Sequence, residues 1–102
     1  MEPDFIYHIT STSEWRAAQA EGFYAATSLS TEGFIHCATE SQVEGVLDRY
    51  FKGQPELLKL EIETSKLVHP PRYEVAVSVN ETFPHIYGPI NIDAVTAVVK
   101  LD

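Results

Sequence analysis

The second half of this chain alternates, and that alternation limits the folds open to it. Leu58, Leu60 and Ile62 are separated by Lys59, Glu61 and Glu63, Tyr73, Val75, Val77 and Val79 repeat the pattern, and Val95, Ala97, Val99 and Leu101 end the chain with it. Period two places alternate side chains on opposite faces of a strand, so each segment has one apolar and one wet face. Sheets with one solvated face are antiparallel, because parallel sheets need helices over both sides.

The first half carries helix signals instead. Phe5–Thr10 (FIYHIT) is rich in β-branched and aromatic residues and reads as a short strand. Ser11 and Glu14 have capping-box spacing and Gly22 stands where a helix C′ residue would, which predicts a helix over 12–21. Phe34–Cys37 reads as a second short strand. Thr39 and Gln42 repeat the box, and Val43, Val46, Leu47, Tyr50 and Phe51 form an apolar stripe that runs until Gly53. Phe83–Pro89 holds two prolines and Gly88, which predicts a shaped loop or bent edge strand outside any sheet interior, with a short strand at 90–92 beyond it. The order is α+β with a mostly antiparallel sheet and two helices in the N-terminal half. At 102 residues, with nothing linker-like longer than His69-Pro70-Pro71, residues 1–102 read as one domain.

Fifteen acidic side chains against seven basic ones give a formal charge of −8, which opposes general nucleic-acid binding. Cys37 is the only cysteine, so no intrachain disulfide can form, and a reducing compartment fits. The acidic start Met1-Glu2-Pro3-Asp4 resembles no signal peptide, and no 18 apolar residues run together. The expectation is a cytoplasmic protein without a membrane span.

Three of the four histidines, His8, His36 and His85, sit among apolar residues at strand or loop ends. A buried imidazole left unpaired costs roughly 1–3 kcal/mol, so each needs a protein partner or a ligand. His69, before two prolines, is expected to be exposed. Imidazoles with Cys37 are zinc-type ligands, and a metal-dependent enzyme using His8, His36 and His85 is one alternative. The spacing speaks against it, since no helix carries two ligands at i, i+4 and no Cys-x-x-Cys pair exists, so no metal is expected. A Cys37–His dyad is conceivable, with packing the plainer role for the thiol. The five glycines form neither a dinucleotide fingerprint nor a Walker loop.

Three segments then carry a resemblance: Ile6-Tyr7-His8-Ile9-Thr10, Gly33-Phe34-Ile35-His36-Cys37-Ala38-Thr39 and Phe83-Pro84-His85-Ile86-Tyr87-Gly88. In this order, with Trp15, Gly22-Phe23-Tyr24 and Gln42, they resemble the motifs of the family called domain of unknown function 952. That family's fold is similar to the ADP-ribosyltransferases and RNA 2′-phosphotransferases, which implies a split sheet clamping NAD in a cleft. Tyr7-His8-Ile9-Thr10 resembles their Tyr-His-Gly-Thr strand, so the resemblance implies that His8 binds the ribose. The third motif here holds His85 and Tyr87 and no carboxylate. Glu74 is the nearest candidate, Glu32 another, and Arg72 stands nearly alone as a phosphate-holding arginine. The resemblance thus implies His8, His85 and Glu74 as catalytic and His36, Tyr87, Tyr7 and Thr10 as binding groups. The ligand it implies is NAD or another ribose-containing nucleotide, with ADP-ribosyl transfer or NAD glycohydrolysis as the reaction. A catalytically inactive binding or interaction module on the same fold is the alternative.

Overall fold

A computed structural model of the chain describes residues 2–101. The elements are β1 (Phe5–Ser11), α1 (Thr12–Glu21), β2 (Phe23–Tyr24), α2 (Thr27–Glu32), β3 (Ile35–His36), α3 (Val43–Tyr50), β4 (Leu57–Glu63), β5 (Arg72–Ala76), β6 (Glu81–Ile86), β7 (Ile90–Asn91) and β8 (Val95–Lys100). They build three antiparallel groups in the orders β1-β4-β8, β2-β7 and β3-β6-β5. The α+β, mostly antiparallel expectation therefore holds, but among the described residues the N-terminal half has three helices and not two, the short α2 ending at Gly33 in a left-handed conformation.

Local chemistry explains α1. Ser11 Oγ accepts the Glu14 N–H at 3.2 Å, and Gly22, at φ 92°, donates its N–H to Ala18 O at 2.8 Å. The Glu14 carboxylate does not reach back to the cap backbone but accepts from the Thr10 and Ser11 hydroxyls, each at 3.3 Å. At Thr39 the box closes on both sides and leads through a 3-10 turn, Glu40–Gln42, into α3. That helix ends at Tyr50, three residues short of Gly53, and Tyr50 is 56% exposed and lies off the apolar stripe.

In β4 the inward residues Leu58, Leu60 and Ile62 are buried, as the alternation predicts. The alternation misleads in β5, where Val75 is 61% exposed, and again beyond Ala76. Val77 and Val79 fall in the turn between β5 and β6, where Val79 N–H bonds Ala76 O and Asn80 takes a φ of 54°, a conformation asparagine tolerates. Val77 is 88% exposed.

The expectation for Phe83–Pro89 is corrected more sharply, because β6 is the central strand of its sheet and Pro84 is fully buried within it. In an antiparallel ladder the N–H and C=O of one residue point to the same neighbour. Pro84 O accepts the Cys37 N–H at 3.0 Å, so the N–H that proline lacks falls just past the two-residue β3, where no ladder continues. The short neighbouring strand makes the proline tolerable.

Cys37 and Ala38 join the two larger sheets. Tyr7 and Ala38 exchange N–H···O bonds at 2.8 Å in both directions, an isolated bridge, while Cys37 bonds β6. One core cluster, with Ile6, Ile35, Leu60, Ile62, Ile86 and Ile90 at its centre, lies beneath α1 through Trp15 and Ala18. A second, around Ile9, Val43, Leu57 and Phe83, lies under α3. No helix of the described residues is long and apolar enough to cross a membrane.

Candidate functional site

Where the two sheets meet, a cleft of about 700 Å³ opens, and His8, His36 and His85 all line it. Three residues distant in the chain are brought together because β1 bonds Ala38 at the seam while β3 and β6 pair with His36 directly opposite His85. The rings of His36 and His85 are 5.3 Å apart, edge to face. Phe34 is stacked on His85 at 4.2 Å and meets His36 edge-on at 4.8 Å.

The three imidazoles are engaged differently. His8 Nδ1 donates to His36 O at 2.6 Å, and its Nε2 lies 2.8 Å from Tyr24 Oη. Burial pushes its pKa down to about 4, so the ring is neutral and Nε2 presents its lone pair to the Tyr24 hydroxyl, whose one proton is shared between Nε2 and Thr10 Oγ1. Tyr24 Oη in turn lies 2.9 Å from Thr10 Oγ1, and Thr10 reaches Glu14. With both nitrogens committed, His8 has none left for a ribose hydroxyl in this arrangement. It ties β1 to β3 and β2.

His36 projects to the rim, its side chain 52% exposed, with Nε2 3.2 Å from both carboxylate oxygens of Glu32. His85 is 8% exposed, and its Nδ1 donates to Glu74 Oε1 at 2.7 Å. The Tyr87 hydroxyl donates to the same oxygen at 2.5 Å, and these two bonds, Tyr87's first, hold the Glu74 carboxyl below its usual range. The bond to Glu74 also pushes the Tyr87 phenol up. His85 Nε2 has no hydrogen-bond partner among the described residues, and it is not sealed from solvent. One imidazole nitrogen is thus oriented from behind by a carboxylate while the other is left for whatever enters the cleft.

The remaining residues singled out from sequence divide. Tyr7 lines the cleft, and burial, then Glu61 and Glu40, push its phenol up. Thr10 is 2% exposed, a link in the His8–Tyr24 chain. Tyr87 and Glu74 stand behind His85 and do not line the cleft, and Arg72 covers the Tyr87 ring at 4.8 Å. Cys37 is buried, makes no bond to an imidazole, and burial pushes its thiol far up, so no Cys–His nucleophile is formed. Among the described residues no three His, Cys, Asp or Glu side chains are grouped to hold a metal ion, so His8, His36 and His85 do not form a ligand set. His69 is half-buried against Gly88 and not simply exposed. Sequence reasoning missed Phe34 and Glu14 as cleft residues and Tyr24 as the partner of His8. The apolar run Phe34-Ile35 was the one local signal for Phe34.

Fold and site together define a small α+β protein of joined antiparallel sheets with a histidine-bearing cleft at the join. The chain belongs to the family described as protein of unknown function DUF952, whose profile matches residues 9–98. Its structure is similar to the crystal structure of protein CC0527 from Caulobacter crescentus, which is 32% identical. That match covers 96% of this chain and 86% of that one, at a TM-score of 0.87. The solution structure of CC0527 is also similar, at 32% identity and a TM-score of 0.83, covering 98% of this chain and 86% of that one. No curated protein matches the chain.

Proposed function

We propose that the cleft binds a small molecule carrying a ribose and a planar ring, and that His85 Nε2 is the group that exchanges a proton with it. The observation that carries this reading is His85 itself. It is buried in the wall of a ligand-sized cleft, its Nδ1 is held by Glu74, and its Nε2 has no partner. Ionised Glu74 keeps the proton on Nδ1, which leaves Nε2 as a lone-pair base. The reaction class that suits this, and that the resemblance to ADP-ribosyltransferases implies, is transfer or hydrolysis at an N-ribosyl bond, NAD being one substrate to test. Water attacks the anomeric carbon, the N-glycosidic bond breaks with its electron pair on the departing ring, and the water's proton passes to Nε2. Glu74 is a positioning residue here, because it reaches the cleft only through His85.

The test is calorimetry and ligand-observed NMR with NAD, ADP-ribose, nicotinamide riboside and adenosine. At least one should bind, and His85→Ala, folded by circular dichroism, should bind it at least about tenfold more weakly, as loss of a hydrogen bond to a buried group implies. Absence of binding by the unaltered protein up to millimolar ligand would overturn the reading. Release of free nicotinamide, lost in His85→Ala, separates an enzyme from a module that binds without turnover.

A further inference from the structure

We infer that the cleft selects a phosphate-free organic cation with an aromatic ring, and that it disfavours phosphorylated nucleotides. This rests on the reading of the cleft as a ligand site. Its lining includes Glu14 and Glu32 but no lysine or arginine. A pyrophosphate or phosphomonoester placed there would meet two acidic residues and no lysine or arginine, within a protein of formal charge −8. The lining is also aromatic, with Tyr7, Phe34, Tyr50 and Phe83 among its residues. Carboxylates interleaved with aromatic faces are the surroundings that attract a delocalised cation, through the ring quadrupole and charge together.

Two of these rings already attract cations from outside the lining. Lys59 Nζ lies 5.2 Å from the Tyr7 ring centre and Arg49 Cζ 5.7 Å from that of Tyr50. Neither side chain is part of the lining. Lys59 sits beside Glu61 on β4, whose charge reaches Tyr7, and Arg49 pairs with Glu81 at 3.6 Å. Arg72 lies over Tyr87, behind His85. His85 supplies the independent sign that a ligand belongs here, being more than nine-tenths buried with an unpaired Nε2. That lone pair accepts from a ligand hydroxyl or N–H, which a ribose provides, so the discrimination against phosphate rests on the charge of the lining.

Two matched series test this by calorimetry at neutral pH: 1-methyladenosine, which is a cation there, adenosine and adenosine 5′-monophosphate, then nicotinamide riboside, its mononucleotide and NAD. The cationic member of each series should bind tightest and the phosphorylated members weakest. Glu32→Gln should weaken the cationic member roughly three- to fivefold more than it weakens adenosine, the size expected of one part-exposed carboxylate. Glu32 is the simpler position to change, because its side-chain partner is His36 at the rim, whereas Glu14 accepts from the Thr10 and Ser11 hydroxyls at the start of α1. If a phosphorylated member binds as tightly as its cationic counterpart, or Glu32→Gln weakens both equally, the charge selection is wrong while the cleft still stands as a ligand site. If no member of either series binds the unaltered protein, the cleft reading itself falls, and this inference with it.

Discussion

Both nitrogens of His8 are used inside the protein, and this gives one residue a measurable signature. The folded state holds the imidazole neutral down to about pH 4, against an ordinary value of 6.5. Between those values the unfolded chain binds a proton that the folded chain refuses, so stability rises with pH and is lost as pH falls from 6.5 toward 4. The loss should reach about 2 kcal/mol by pH 5 on that displacement. Glu74 acts lower. Its carboxyl is held below the ordinary 4.5, so its contribution is present above that value and disappears as pH falls through its folded pKa. Urea denaturation of the unaltered protein and of His8→Gln between pH 7.5 and 5 isolates the histidine as the difference between two curves. The difference should shrink steadily toward pH 5, and parallel curves would show that His8 is not the proton-refusing group. Its charging would make Nε2 a donor to Tyr24 Oη and leave the Tyr24 proton wholly to Thr10 Oγ1, with Glu14 still the acceptor at the end of the chain.

At the scale of elements, legibility followed the range of the interaction. The helix α1 was readable to the residue because Ser11 and Gly22 act within one turn of where they stand. The strand β4 was readable because burial on one face imposes period two. Strand β6 was not, since whether Pro84 is tolerated depends on β3 stopping after two residues, a fact of pairing that no local window holds. The site divides in the same way. That three histidines needed partners could be argued from burial alone, but His36 facing His85 depends on register, and Tyr24 reaching His8 depends on the β2-β7 pair. The loop after β6 gives a further expectation of this kind. A methyl group at Gly88 would come within 2.5 Å of the His69 ring, which packs over it from the segment before β5. Gly88→Ala should cost about 1–3 kcal/mol and lower the melting temperature by several degrees. Adding His69→Ala should return part of that loss, because the clash is with the ring. If the double variant is no more stable than Gly88→Ala alone, the strain lies in the backbone instead.

The whole molecule is two three-stranded sheets and the β2-β7 pair around a shared core, with the two larger sheets joined through backbone bonds at a narrow seam. Strand β4 is bonded on both sides, by β1 and β8, whereas the backbone bonds between β1 and the 37–38 segment are the single Tyr7–Ala38 bridge, reinforced by His8 Nδ1 on His36 O. The cleft takes Tyr7 and His8 from one side of this seam and Phe34 and His85 from the other, so parting the sheets dismantles it. Opening the seam exposes less apolar surface than global unfolding, and should therefore cost less free energy. In hydrogen exchange on the free protein, the amides of Tyr7 and Ala38 should exchange faster than that of Leu60 in the middle of β4. A ligand bound across the seam must be released before either opening, so saturation with nicotinamide riboside should slow Ala38 and Leu60 by the same factor. If Leu60 slows while Ala38 does not, the seam opens with the ligand still in place, and the ligand is held by one sheet alone.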